Sequence, residues 1–93
     1  MTSGAGGPPQ GLIEYPAEYV FKIMGFAADD FPEHARRLVA RVVADVPAER
    51  VTVRASGGGK YVSVTVIAVL QSEEQRVAVY AALKADDRIV YAL

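Results

Sequence analysis

The chain has no cysteine and no asparagine, only one histidine, and no large surplus of either charge. Without thiols there is no disulfide staple, no thiol nucleophile and no thiolate metal site. One imidazole does not make a recognisable metal ligand set, and no cofactor is expected. Ten Lys and Arg against eleven Asp and Glu leave a net charge of -1, so no global field draws the protein toward polyanions and nucleic acid is not an expected partner. The longest apolar stretch, Val62 to Leu70, is interrupted by Ser63 and Thr65. It is far shorter than the roughly 20 residues a spanning helix needs, so no membrane is expected. Met1 to Gly11 carries no basic residue and no apolar core of secretory length, so it does not read as a signal peptide, and a cytoplasmic location is expected.

What remains is 93 residues, 52% hydrophobic and 23% charged, which is enough for one compact core and too little for two. Residues 1–11 contain Gly, Pro and Ser and almost nothing that could be buried, the composition of a flexible tail. Residues 12–93 are read as a single domain.

Along that domain, Tyr19, Phe21 and Ile23 alternate with Val20, Lys22 and Met24, which predicts a strand over Glu18 to Met24, broken at Gly25. Ala35, Leu38, Val39, Val42 and Val46 recur at helical spacing and predict a helix from about Asp30 to Val46. Asp29 or Asp30 is expected to cap it, Pro32 suits its first turn, Glu33 stands four residues before Arg37 for a surface ion pair, and Pro47 ends it. Val51 and Val53 alternate with Thr52 and Arg54 in a strand from Arg50 to Ala55. Gly57, Gly58 and Gly59 then allow a hairpin turn into a strand from Lys60 to Val69. Ser72 and Gln75 form a capping box that opens a helix to about Lys84. Its inward face is either Val77, Tyr80 and Ala81, or Val79 and Leu83. Asp86 and Asp87 lead to a last strand, Arg88 to Leu93, with Ile89, Tyr91 and Leu93 expected on one face.

The order β-α-β-β-α-β is the ferredoxin-like, α+β signature. It predicts a two-layer sandwich with an antiparallel sheet in the order 4-1-3-2 and both helices on one side. On the third strand Val62, Val64, Val66 and Ala68 should meet the helices. Ser63, Thr65, Ile67 and Val69 should face outward. With Val90 on the last strand, residues Thr65, Ile67 and Val69 form an outer face more apolar than solvent alone explains, and so a candidate surface for a protein partner or a homodimer.

Tyr15-Pro16, then Tyr19-Val20-Phe21-Lys22-Ile23-Met24-Gly25, resembles the start of the YbeD-like family of small bacterial proteins of unknown function. Further matches are Val51 to Val53, Ser56, the glycines before Lys60, Tyr61-Val62-Ser63-Val64, Gln75, Tyr80, Leu83, Asp87 and Ile89. The resemblance runs from about Leu12 to the C-terminus. It implies a ferredoxin-like domain similar to the ACT-type modules that sense amino acids, and brings no established activity or catalytic residue. The three consecutive glycines depart from the more mixed turn of the relatives.

Individual residues with chemical capacity have plainer readings. His34 lacks a nucleophile and an orienting partner in sequence and reads as a solvated surface imidazole. Gly57 to Gly59 before Lys60 lack the spacing, the Ser or Thr and the following helix of a phosphate loop. Lys60-Tyr61 echoes an RNA-recognition strand, but Val and Ser replace the other aromatics that such a strand requires. Arg36, Arg37, Arg41, Arg50 and Arg54 read as a solvated helix face and strand ends before they read as a patch for an acidic partner. Glu14, Glu73 and Glu74 read as surface and helix-dipole charges. The turn after the first strand is the candidate ligand loop: Gly25 and Phe26 would let a small molecule approach, while Asp29 with Asp30 sets negative charge where its carboxylate would sit. An acylphosphatase-like enzyme of this topology would need an asparagine to orient water, and there is none. The reading is therefore a non-catalytic regulatory or protein-interaction domain, with ACT-like amino-acid sensing as its alternative.

Overall fold

A computed structural model describes residues 13–55 and 58–93. The expectations for the tail over residues 1–11, and for Ser56 and Gly57 in the turn, lie outside these residues.

The elements follow in the order β1 (Ala17–Phe26), α1 (Phe31–Ala40), a short 3-10 turn (Ala48–Arg50), β2 (Val51–Ala55), β3 (Tyr61–Leu70), α2 (Glu73–Lys84) and β4 (Ile89–Ala92). They build an α+β ferredoxin-like sandwich. Its one four-stranded sheet runs β2-β3-β1-β4 with every neighbouring pair antiparallel, which is the expected 4-1-3-2 order read from the other edge.

Period-two alternation builds the two central strands. From Tyr61 to Leu70 the even-numbered Val62, Val64, Val66, Ala68 and Leu70 are buried, while Ser63, Thr65 and Ile67 are half-buried and Val69 is exposed. In β1, Phe21 and Ile23 are buried opposite Val66 and Val64. From above the sheet, α1 contributes Phe31, Ala35, Leu38 and Val39 to this core, and α2 contributes Val79 and Leu83. Each such large apolar side chain is worth about 1.5–3 kcal/mol when fully buried. Of the two faces open to α2 in the sequence, it is the Val79 and Leu83 face that turns inward, and Val77 is exposed.

Several boundaries differ from expectation, each for a local reason. Helix α1 ends at Ala40, not Val46. Beyond it the Val39 carbonyl accepts from both Val42 and Val43, so the ladder tightens, and Asp45 then turns the chain at φ 66°. This turn buries Val43 and Val46, and Arg36 ties it down by donating to the Val46 carbonyl at 2.9 Å. Nor does Asp30 cap α1 with its side chain. Its carboxylate instead accepts two bonds from Arg88, at 2.7 and 3.2 Å. The Ser72 cap of α2 is present, its Oγ accepting from the Gln75 amide at 3.2 Å; the Gln75 side chain reaches back to the Gln71 amide at 2.7 Å. Strand β1 does not stop at Gly25 but continues to Phe26.

The last strand carries the largest departure. Gly25 pairs with Ile89 but Met24 pairs with Tyr91, which leaves Val90 as an extra, unpartnered residue in a bulge. Period two is broken there. Ile89 and Ala92 therefore pack against the core, and Tyr91 and Leu93 turn to the opposite face.

Candidate functional site

Both helices lie on one side of the sheet, and no described element covers the other. On β1 and β3 that outer face reads in cross-strand pairs: Glu18 with Val69, Val20 with Ile67, Lys22 with Thr65, Met24 with Ser63, and Phe26 with Tyr61. Flanking strands extend two of these rows. Leu93, Lys22, Thr65 and Thr52 form one, and Tyr91, Met24, Ser63 and Arg54 form the next. Together they line a trough of about 510 Å³. At one end of the face Phe26 stacks on Tyr61 at 5.7 Å between centroids, with Lys60 placed over the Tyr61 ring at 5.4 Å. At the other, Val20 and Val69 are 45% and 43% exposed, well above what a packed interior leaves open.

The predicted partner residues Thr65, Ile67 and Val69 share this face. Val90 does not join them. The bulge sets it at the β4 edge, in a depression with Tyr80 and Lys84, while Tyr91 and Leu93 occupy the outer face that the uninterrupted alternation assigned to it.

Charge is distributed unevenly over the strands. Glu18 is the one acidic residue within a strand, and Arg50 engages it at 3.0 Å. Among the described residues Arg36, Arg37, Arg50, Arg76 and Arg88 are all held in ion pairs; Lys22 and Arg54, facing the trough from β1 and β2, are in none. Of the five arginines considered as a basic patch, three are thus neutralised locally, and Arg54 is the one that faces the trough. Lys22 was not singled out in the sequence. Its opposite parity to Phe21 and Ile23 was the available signal.

The candidate ligand loop does not converge. Gly25 is buried and faces the core, where the Phe31 ring and the Arg88 carbonyl fill the space beside it. Phe26 faces the opposite side against Tyr61, and Asp29 lines a separate shallow depression with Pro32, Glu33 and Arg36. Arg88 beside Asp30 holds its carboxyl below the ordinary carboxylate range. That keeps a negative charge at the mouth of α1.

His34 is not a free surface imidazole. Its Nε2 lies 2.8 Å from Oδ2 of Asp86, whose other oxygen accepts from the Arg88 amide at 2.9 Å, so the pair ties α1 to the turn before β4. Glu73 also has more to do than favour a helix dipole. It accepts from the Arg76 guanidinium and from the Tyr15 hydroxyl at 2.6 Å, and Arg76 first, then Tyr15, lowers its pKa to about 2. Nearby, the Tyr19 and Tyr80 hydroxyls lie 3.2 Å apart, and burial first, then this contact, raises the Tyr80 pKa. These tyrosines were missed as a group because their sequence separation is 61 residues.

Residues 10–93 match a family described as a protein of unknown function, DUF493. The chain belongs to that family. Among relatives, the UPF0250 protein RSc0326 of Ralstonia nicotianae is 41% identical over 78 residues, covering 84% of this chain and 80% of its own. A UPF0250 protein of Janthinobacterium is 34% identical over 86 residues, covering 92% and 94%. This is the family that the Tyr15-Pro16 and Tyr19 to Gly25 segments resemble under the name YbeD-like. The solution structure of HP0495 from H. pylori superposes with a TM-score of 0.67 over 100% of this chain and 98% of that one, at 15% identity, a likeness of fold alone. No helix among the described residues is long and apolar enough to cross a membrane.

Proposed function

We propose that this member of the family is a non-catalytic interaction domain whose sheet face opposite the helices receives a protein partner and acts through that binding. One observation carries this reading. Val20, Met24, Ile67, Val69, Tyr91 and Leu93 share a face that no described element covers, whereas Phe21, Ile23, Val62, Val64, Val66 and Leu70, on the opposite face of the central strands, are buried under the helices. The sole imidazole supports it indirectly, since His34 is committed to holding the turn before β4.

The test is paired affinity capture with the full chain, repeated with Ile67→Glu on the sheet face and with Val77→Glu on the exposed face of α2, followed by reconstitution of the purified pair. A partner kept by Val77→Glu and lost with Ile67→Glu supports the proposal. Equal capture by both variants removes it. A thermal midpoint raised by a free amino acid would favour ligand sensing instead.

A further inference from the structure

From the charge carried by this same face, and resting on its being a docking surface, we infer that its occupant is an acidic protein segment, with carboxylates received between Lys22 and Arg54 and apolar side chains set on Val20, Ile67, Tyr91 and Leu93. Lys22 and Arg54 stand diagonally across the trough, and Thr52, Ser63 and Thr65 line the floor between them. Two cations and three hydroxyls offer donors to an anion. No acidic side chain lines the trough, and the face's one acidic side chain, Glu18, is already occupied by Arg50. Nine of the other ten Asp and Glu of the chain lie in the helices and in the turns that follow β1, and Glu14 precedes the first strand. The imbalance is local, within a molecule whose net charge is only -1.

The same charges decide against a second copy as the occupant. A two-fold contact centred on the trough presents the same patch from both sides, so Lys22 and Arg54 of both molecules would share one interface, and the acidic side chain of the face, Glu18, is already engaged by Arg50. Like charges in a desolvated interface oppose association. Single-stranded RNA is less well served than an acidic peptide. The aromatic pair, Phe26 and Tyr61, is stacked on itself at the far end of the face, and apart from Tyr91 on the flanking β4 the face offers Val, Ile, Met, Leu, Thr and Ser for bases to stack on.

The experiment uses isotope-labelled full chain and three acetylated octapeptides alternating leucine with glutamate, glutamine or lysine, observed by amide chemical shifts, with a uridine oligonucleotide as a further arm. The leucine-glutamate peptide should shift Lys22, Arg54, Ser63, Thr65 and Tyr91, and should weaken on the order of tenfold when Lys22→Glu and Arg54→Glu are combined. That double variant should gain binding of the leucine-lysine peptide, which a merely misfolded variant would not. If glutamate and glutamine peptides bind this face equally, the charge inference fails while the docking surface stands. If no peptide shifts the face, or all shifts fall on the helices, both fail. Binding of the oligonucleotide at this face without the glutamate peptide overturns the inference in favour of nucleic acid.

Discussion

The ring of Phe31, the first residue of α1, lies where a Cβ on Gly25 would have to go, and the Arg88 carbonyl stands 2.6 Å from the same point. Three segments meet at this one hydrogen-sized side chain: β1, the start of α1 and the entry to β4. The glycine is required for close packing and not for an unusual backbone angle, since its φ is not positive.

Gly25→Ala should therefore destabilise the fold by about 1–3 kcal/mol, the usual cost of overpacking a filled interior. Shrinking the ring with Phe31→Leu in the same chain should recover only part of this, because a backbone carbonyl cannot be trimmed. Urea unfolding of the two variants measures both terms. A Gly25→Ala protein as stable as wild type would mean that the three segments can separate freely.

Acid should weaken the protein through Glu33 and Glu73. Arg36, then Arg37, holds the Glu33 carboxyl at about 2 and Arg76, then Tyr15, holds Glu73 at about 2, each below the ordinary 4.5. A carboxyl depressed in the folded state contributes its full share above about pH 4.5 and loses it as pH falls toward about 2. Both carboxylates are about half exposed, at 46% and 50%, so solvent screening keeps the effect modest. Urea midpoints between pH 6 and pH 2, roughly the window set by these groups, should fall less steeply in Glu33→Gln/Glu73→Gln than in wild type. Parallel curves would show that the pairs contribute nothing net.

The sandwich was legible because alternation and helical spacing report burial directly. In β3 every second residue is apolar and the intervening Ser63 and Thr65 mark the outer face, so strand, register and bare side follow from one pattern. Where a single inserted residue resets the period, that pattern misleads. Val90 costs β4 its phase, and Tyr91 and Leu93 exchange faces with it. The end of α1 was hidden for a related reason. Val42 and Val46 keep helical spacing, although Asp45 has already turned the chain and Val43 and Val46 are buried by the turn. Which cations are spent in ion pairs depends on contacts such as Arg88 with Asp30, 58 residues apart, and no local pattern records them.

Removing the carboxylate of Asp86 should cost more than removing the imbalance of any one exposed charge. It accepts from the Arg88 amide and pairs with His34, and both groups are partly buried. Asp86→Ala should lose about 1–3 kcal/mol, since it strands a donor amide and frees α1 from the β4 turn. His34→Ala should lose less, because the amide bond survives. Hydrogen exchange at Arg88 and Ile89 checks the mechanism: it should quicken in Asp86→Ala and stay near wild type in His34→Ala. Equal protection in both variants would leave the turn held by other contacts.

At the alkaline end the controlling group is Tyr80, whose phenol is pushed above its ordinary 10 by burial and then by the Tyr19 hydroxyl. A raised pKa for an acid means that the folded state keeps the proton while the unfolded chain gives it up. The contribution is complete below about pH 10 and is lost progressively as pH rises from there toward the higher folded-state value, because over that range only the unfolded chain ionises. Tyr80→Phe removes the titrating group and keeps the ring that packs on Phe21 at 5.2 Å, so the fold should survive with a small loss at neutral pH and a flatter alkaline limb. Unfolding midpoints measured from neutral pH to above the tyrosine range, alongside ultraviolet titration of the phenols, test this. Should Tyr80→Phe lose stability with alkali as steeply as wild type, the controlling ionisation would belong to another phenol, with Tyr15 next in line because burial and Glu73 also raise its pKa.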